Sequence, residues 1–460
     1  MSRAASSPRA IALALCTIIA LTAAVARPAH ALEIKRLKLN NGAVLLVSEQ
    51  HQLPMVSLAI AFDAGARRDP PGKEGLASLT ADSLMQGTKD LSATQFNQRI
   101  DFTGGNISIS ASRDYASASF TALTKYRDDT LHLLAQALEN PGLRDSDIER
   151  KRAERVADIN AAQEQPQYVA QVAFEKAIFD DGPYGHPAEG FAQSVSKLTA
   201  ADVRDFYKNY YRMGGAVIAV AGDVDADQIR AKLEKEFSSL PGTVAPQAPP
   251  HMAVIKPGIH VQLIDRNVAQ ANLILGSEGI ARSNPDFYKI QVMNYILGGG
   301  GFSSRLMKVV RSKAGLAYGI GSGFQATKFP GAFLVVVQTK NESANQALRM
   351  ILEQLREIQE APVSETDIAS AKKYLIGSFP LKLDRQSEIV SFMLQTEIEG
   401  LGTDYAERYP KLIEAVTRAD VQDVARRYLH PDALELIAVA NQGTARINTA
   451  ALEPEKQASR

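Results

Sequence analysis

Arg311 and Tyr318 stand seven residues apart and carry groups suited to peptide chemistry. An arginine offers a planar fork of N–H donors to carbonyl and carboxylate oxygens. A tyrosine hydroxyl can hydrogen-bond the oxyanion formed when water attacks a carbonyl. Neither role needs a metal in the same chain. Taken alone, the pair has a plainer reading: Arg311 as a surface charge on a basic helix with Lys308 and Lys313, and Tyr318 as a core aromatic. Other reactive constellations are sparse. The histidines after residue 31 are His51, His132, His186, His251, His260 and His430, and no two are spaced for a shared helix face. Ser78 and Asp82 are one helical turn apart, with no histidine near them in sequence, and no Gly-x-Ser-x-Gly elbow occurs. Glu154 and Asp158, at i and i+4, read as a solvated acidic edge. Gly298 to Gly301 lack the Gly-Lys-Ser/Thr of a phosphate loop and read as a flexible turn.

The 460 residues are 45% hydrophobic and 22% charged, with a formal net charge of zero. That balance offers no footing for nucleic acid or an acidic membrane surface. The N-terminus reads as a leader: Arg3 and Arg9 precede an apolar run from Ala10 to Val25, and Ala29-His30-Ala31 fits a small-x-small cleavage site. Cleavage after Ala31 would start the mature chain at Leu32, exported to the periplasm or secreted; an uncleaved anchor is the alternative reading. Cys16, the single cysteine, lies inside that run, and removing Arg3, Arg9 and Arg27 leaves the remainder three charges negative. No later stretch has the roughly 18 apolar residues of a membrane span.

Residues 241–258 contain five prolines, which marks an extended linker. It separates an N-terminal domain, 32–240, from a C-terminal domain, 259–447, with a polar tail at 448–460. The two sides look duplicated. Thr199-Ala-Ala-Asp202 and Thr417-Arg-Ala-Asp420 both resemble capping boxes, both open an amphipathic helix, and both lead through Gly214-Gly215 or Pro431 to a short Ala/Val/Ile strand. Asn41-Gly42 signals a hairpin between strands 36–39 and 43–48, and 55–62 alternates as a third strand. A second hairpin turns at Arg113-Asp114, between 106–112 and 115–123. Helical periodicity covers about 74–86, 93–102, 126–139 and 145–179. After the linker the pattern is strands 259–266 and 270–278, helices 284–297 and 303–312, strands 316–325 and 331–339, and helix 342–359. Hairpins with separate helices predict an α+β fold of two homologous halves, each a largely antiparallel sheet packed with helices.

The segment Gly65-Ala-Arg-Arg-Asp-Pro-Pro-Gly-Lys-Glu-Gly-Leu-Ala-Ser78-Leu-Thr-Ala81-Asp82 resembles the pitrilysin/insulinase family of zinc peptidases. In that family this turn leads into a helix bearing His-x-x-Glu-His. The five positions here read Ser78-Leu79-Thr80-Ala81-Asp82, so both ligand histidines and the general base are missing. The family's third ligand, a glutamate, aligns with Asp158. His186, in Gly-His-Pro, reads as a turn residue. The segment Gly298-Gly-Gly-Gly-Phe302-Ser-Ser-Arg305-Leu-Met-Lys-Val-Val-Arg311-Ser-Lys-Ala-Gly315-Leu-Ala-Tyr318 resembles the family's Arg/Tyr element. The resemblance implies that Arg311 and Tyr318 act over a zinc site in a facing domain, and that Gly298, Gly299, Gly300 and Gly301 lie beside substrate. It implies a non-catalytic subunit, similar to the processing-peptidase alpha type. Such a chain has no metal of its own. It completes a partner that carries zinc and an intact His-x-x-Glu-His, and the substrate is a peptide. Two other readings stay open: a binding or assembly module without proteolysis, and an enzyme with another metal set built from Asp82, Asp158 and a distant histidine.

Overall fold

The computed structural model describes residues 32–240, 242–246, 257–448 and 452. The expected leader and its Cys16, most of the linker with His251, and most of the tail lie outside the described residues. Two sheets form the frame, and their order repeats. In the first, β1 (Lys35–Lys38), β2 (Val44–Glu49), β3 (Met55–Phe62), β4 (Asn106–Ala111), β5 (Ala116–Leu123) and β6 (Val217–Gly222) lie in the order β1-β2-β6-β3-β5-β4. In the second, β7 (Gly258–Asp265), β8 (Gln270–Glu278), β9 (Ala317–Phe324), β10 (Ala332–Lys340) and β11 (Ala433–Ala440) lie in the order β7-β11-β8-β10-β9. Without β1 the two orders superpose strand for strand. In each sheet one pair is parallel, β2 with β6 and β7 with β11, and the other pairs are antiparallel. The chain is therefore an α+β fold of two homologous halves.

Local signals explain why these elements form. The first hairpin closes at Asn40–Gly42, with Leu39 N–H donating to Ala43 O and Gly42 at φ +91. A side chain at such a φ is strained, so the glycine is required there. Ser112 N–H donates to Tyr115 O and closes the second hairpin around Arg113 and Asp114. Both expected capping boxes are made. Thr199 accepts from Asp202 N–H while Asp202 accepts from Thr199 N–H, and Thr417 and Asp420 do the same.

The helices longer than one turn are α1 (Leu76–Leu84), α2 (Ala93–Thr103), α3 (Arg127–Glu139), α4 (Asp145–Ala162), α5 (Pro166–Phe179), α6 (Ala200–Tyr210) and α7 (Ala226–Glu236) in the first half. The second half has α8 (Phe287–Asn294), α9 (Ala344–Glu360), α10 (Glu365–Ser378), α11 (Gln386–Ile398), α12 (Tyr405–Glu414) and α13 (Arg418–Tyr428). The single helix expected over 145–179 is two. Pro166 has no N–H to donate, so it starts α5 at its first position and ends the ladder before it.

The halves exchange helices. α5, from the first half, packs Ala170, Phe174 and Ile178 against Ile274, Ile437 and Val439 of the second sheet. α11, from the second half, packs Ile389, Val390, Met393 and Leu394 against Leu46, Ala59, Val217 and Ala219 of the first. Each sheet thus has its own helices on one face and its neighbour's helix on the other. Arg36 and Glu397 add a bidentate ion pair across that exchange.

Candidate functional site

The Asp-Pro-Pro-Gly-Lys turn aims α1. The Asp69 carboxylate accepts N–H bonds from Gly75 at 2.7 Å and Ala77 at 2.8 Å, and so caps the start of the helix. Lys73 pairs with Asp202 of the first capping box, which ties the turn to α6. At Gly75 a Cβ would come 2.5 Å from Glu189 O, so the turn is pressed against the Gly-His-Pro loop. His186 of that loop is buried, and its Nδ1–H donates to Pro187 O at 3.0 Å. Burial pushes the His186 pKa down, against the backbone bond to Pro187. It is a turn residue.

None of the former metal positions on α1 offers a free ligand. Ser78 is buried and Ala81 is wholly inside the first core. Asp82 forms an ion pair with Arg155, and the two side chains are 24% and 20% exposed. Arg155 comes from α4, the helix that would bring the third ligand. Its guanidinium gives Asp82 the positive neighbour that a cation would otherwise supply. Asp158, one turn further along α4, is exposed, and Glu154 is held by Arg150 and Lys151 at the surface. The Tyr211 hydroxyl is buried, and burial with the Asp82 charge raises its pKa, so it stays protonated. Among the described residues no three His, Cys, Asp or Glu side chains are grouped to hold a metal. The residues present do not fit zinc. The reading that combined Asp82, Asp158 and a distant histidine is corrected on the same ground: Asp82 is spent on Arg155, and Asp158 faces solvent.

The Arg/Tyr element is built differently. Tyr318 is on β9, an edge strand bonded only to β10. The residue is 73% exposed, so it is not a core aromatic. Arg311 lies on a π-helical segment, Met307–Lys313, that packs on β9. A second π-helical segment, Tyr295–Gly299, follows α8. The α-helices expected over 284–297 and 303–312 therefore both widen into π turns in this stretch, as helices often do at functional sites. The Arg311 guanidinium sits 5.0 Å from the ring centroid of Phe302, a residue that is 72% exposed. The glycines are not a loose turn throughout. A Cβ on Gly298 would meet Ser322 N at 2.5 Å, so this position lies flat on β9. Asn294 fixes the same point by donating to Ser322 O and accepting from Ser322 Oγ. Gly301, at φ +56, has open space where a side chain would stand.

Sequence reasoning brought out Arg311 and Tyr318 but missed Arg155 and Phe302. Arg155 lies 73 positions from Asp82. Its only local signal is a cation one turn before Asp158.

Residues 44–190 match the family model described as insulinase (peptidase family M16), and residues 197–375 match the one described as the peptidase M16 inactive domain. The two cover most of the chain, the first spanning α1 and α4 and the second Arg311 and Tyr318. The chain belongs to the insulinase (M16) family. M16 relatives run along nearly its whole length. The non-peptidase homolog YmxG of Helicobacter pylori is 25% identical, over 86% of this chain and 92% of its own. An uncharacterized zinc protease of Streptomyces coelicolor is 26% identical, over 86% and 87%. The crystal structure of a peptidase M16 inactive domain from Pseudomonas fluorescens superposes with a TM-score of 0.83 at 26% identity, covering 89% of this chain and 98% of that one. This is an M16-fold protein whose helix α1 carries Ser78, Ala81 and Asp82.

Proposed function

We propose that this chain is the non-catalytic subunit of an exported two-chain zinc metallopeptidase. A partner of the same fold with intact His-x-x-Glu-His holds the zinc and the general base. Arg311 orients the peptide and Tyr318 hydrogen-bonds the oxyanion in the partner's site. One observation carries the reading: Tyr318 lies on an edge strand and is 73% exposed, the placement a residue needs to serve another chain. The pairing of Asp82 with Arg155 supports placing the hydrolytic centre in the partner rather than in this chain. The test is peptide cleavage by the chain alone and with its co-expressed partner. Cleavage should need both chains, and Arg311→Ala or Tyr318→Phe should lower kcat of the complex by about 10²-fold, the scale of losing one oxyanion donor. Zinc-dependent cleavage by this chain alone, or full turnover in both variants, refutes it.

A second reading is a binding module without proteolysis, supported by the description of the Helicobacter pylori relative as a non-peptidase homolog. A stable complex that cleaves nothing would favour it.

A further inference from the structure

Between Asp286 and Glu342 the sequence contains no carboxylate side chain, although the whole protein balances 51 acidic residues against 51 basic ones. The same interval carries Lys289, Arg305, Lys308, Arg311, Lys313, Lys328 and Lys340. It includes both π-helical segments, β9 and β10. Lys289 is neutralised from outside the interval by Asp420 and Asp286, and Arg305 by Glu357 at 4.0 Å. Lys308 and Lys313 are exposed, and among the described residues neither they nor Arg311 has a carboxylate within ion-pair distance. Two open aromatic rings flank these charges, Phe302 against the Arg311 guanidinium and Tyr318 on the strand beneath. A third ring, Tyr374 of α10, packs tilted against Tyr295 with centroids 5.0 Å apart, and Tyr295 Oη lies 3.3 Å from Ser303 Oγ, next to Phe302.

From this juxtaposition we infer that the strip from Phe302 to Tyr318 is a peptide-binding surface selective for acidic segments that carry an aromatic or large apolar residue. Three unneutralised cations attract carboxylates, and an exposed phenyl and phenol give apolar side chains a face to stack on. The inference rests on the proposed function for its occupant, a peptide substrate, but it concerns selectivity, which that reading leaves open. An acidic peptide would lay its carboxylates over Lys308 and Lys313 and its apolar side chain against Phe302. Its backbone would remain within reach of Arg311 and Tyr318.

The test uses the full chain without a partner, with fluorescence anisotropy of labelled unstructured twelve-residue peptides. They are identical except for three positions around one Phe, which are Glu, Gln or Lys. The Glu peptide should bind most tightly, roughly tenfold above the Gln peptide at low salt for two exposed charge contacts, and the Lys peptide least. The advantage should shrink as ionic strength rises. Lys308→Glu with Lys313→Glu should reverse the order. Phe302→Ala should weaken all three peptides while preserving it. Equal binding of the Glu and Gln peptides, no measurable binding, or an order unchanged by charge reversal overturns the inference. Cleavage of the Gln peptide by the two-chain complex is scored separately. Its absence beside an intact Glu preference refutes the proposed function alone.

Discussion

Arg155 and Asp82 provide the sharpest test of how the lost metal position is stabilised. The perturbations are Asp82→Asn, Arg155→Met and the double variant. The pair joins α1 to α4 through a charge-assisted contact between side chains that retain about a fifth of their surface in water. A hydrogen bond between charged groups contributes about 1.5–3 kcal/mol, and partial exposure screens it toward the lower half of that range. Each single variant should therefore cost about 2 kcal/mol. The double variant should cost much less than the sum, because once one partner is gone the other has nothing left to lose. A coupling energy of about 1–2 kcal/mol is expected. Urea unfolding of the four proteins measures it as shifts in midpoint at constant slope. Additive costs, with coupling under about 0.3 kcal/mol, would mean the two charges do not depend on each other, and the claim that Arg155 takes the place of a cation would be wrong.

Restoring ligands by Ser78→His, Ala81→Glu, Asp82→His and Asp158→Glu should give stoichiometric zinc, measured by metal analysis, only when Arg155→Ala is added, since a guanidinium beside the ion repels it. Phe174→Ala should destabilise by about 3–5 kcal/mol in thermal or urea unfolding, because the ring is fully buried between α5 and the sheet of the other half. Gly298→Ala should cost about 1–3 kcal/mol by overpacking, since its Cβ meets the Ser322 backbone, while Gly301→Ala, in open space, should suffer only from its positive φ. His186 is neutral in its buried loop, where desolvation outweighs the attraction of Glu74 and Glu175. Its folded pKa lies below the unfolded value of about 6.5, so the unfolded chain takes up the proton first. Stability should be unaffected above that pH and should fall below it with a slope of up to about 1.4 kcal/mol per pH unit, and a His186→Asn variant should show a flatter profile over the same window.

What could be read in advance was what the chain encodes locally. Asn41-Gly42 and the two Thr-x-x-Asp boxes are short-range signals, satisfied by backbone groups within a few residues, so hairpin, caps and duplication were all legible. The π turns were not, because Met307–Lys313 has the composition of an ordinary α-helix and nothing in its sequence marks the wider winding it has where it packs on β9. Nor was the role of Arg155. A basic residue on a charged helix reads as solvated until a carboxylate from another element is brought against it, and here that carboxylate occupies a position where a metal ligand was expected.

The exchange of α5 and α11 explains why α11 escaped periodicity. A helix with one buried stripe shows a 3.6-residue pattern, but α11 is apolar on two sides. Phe392 faces the core of its own half, while Ile389, Val390, Met393 and Leu394 face the first sheet. The same arrangement bears on function. Because each half holds a helix of the other against its sheet, the halves cannot separate without exposing two apolar faces. A cleft opening between the chain's own halves would have to uncover both of these faces. Hydrogen exchange should accordingly find α5 and α11 among the slowest segments, and early exchange across both would show that the halves do part.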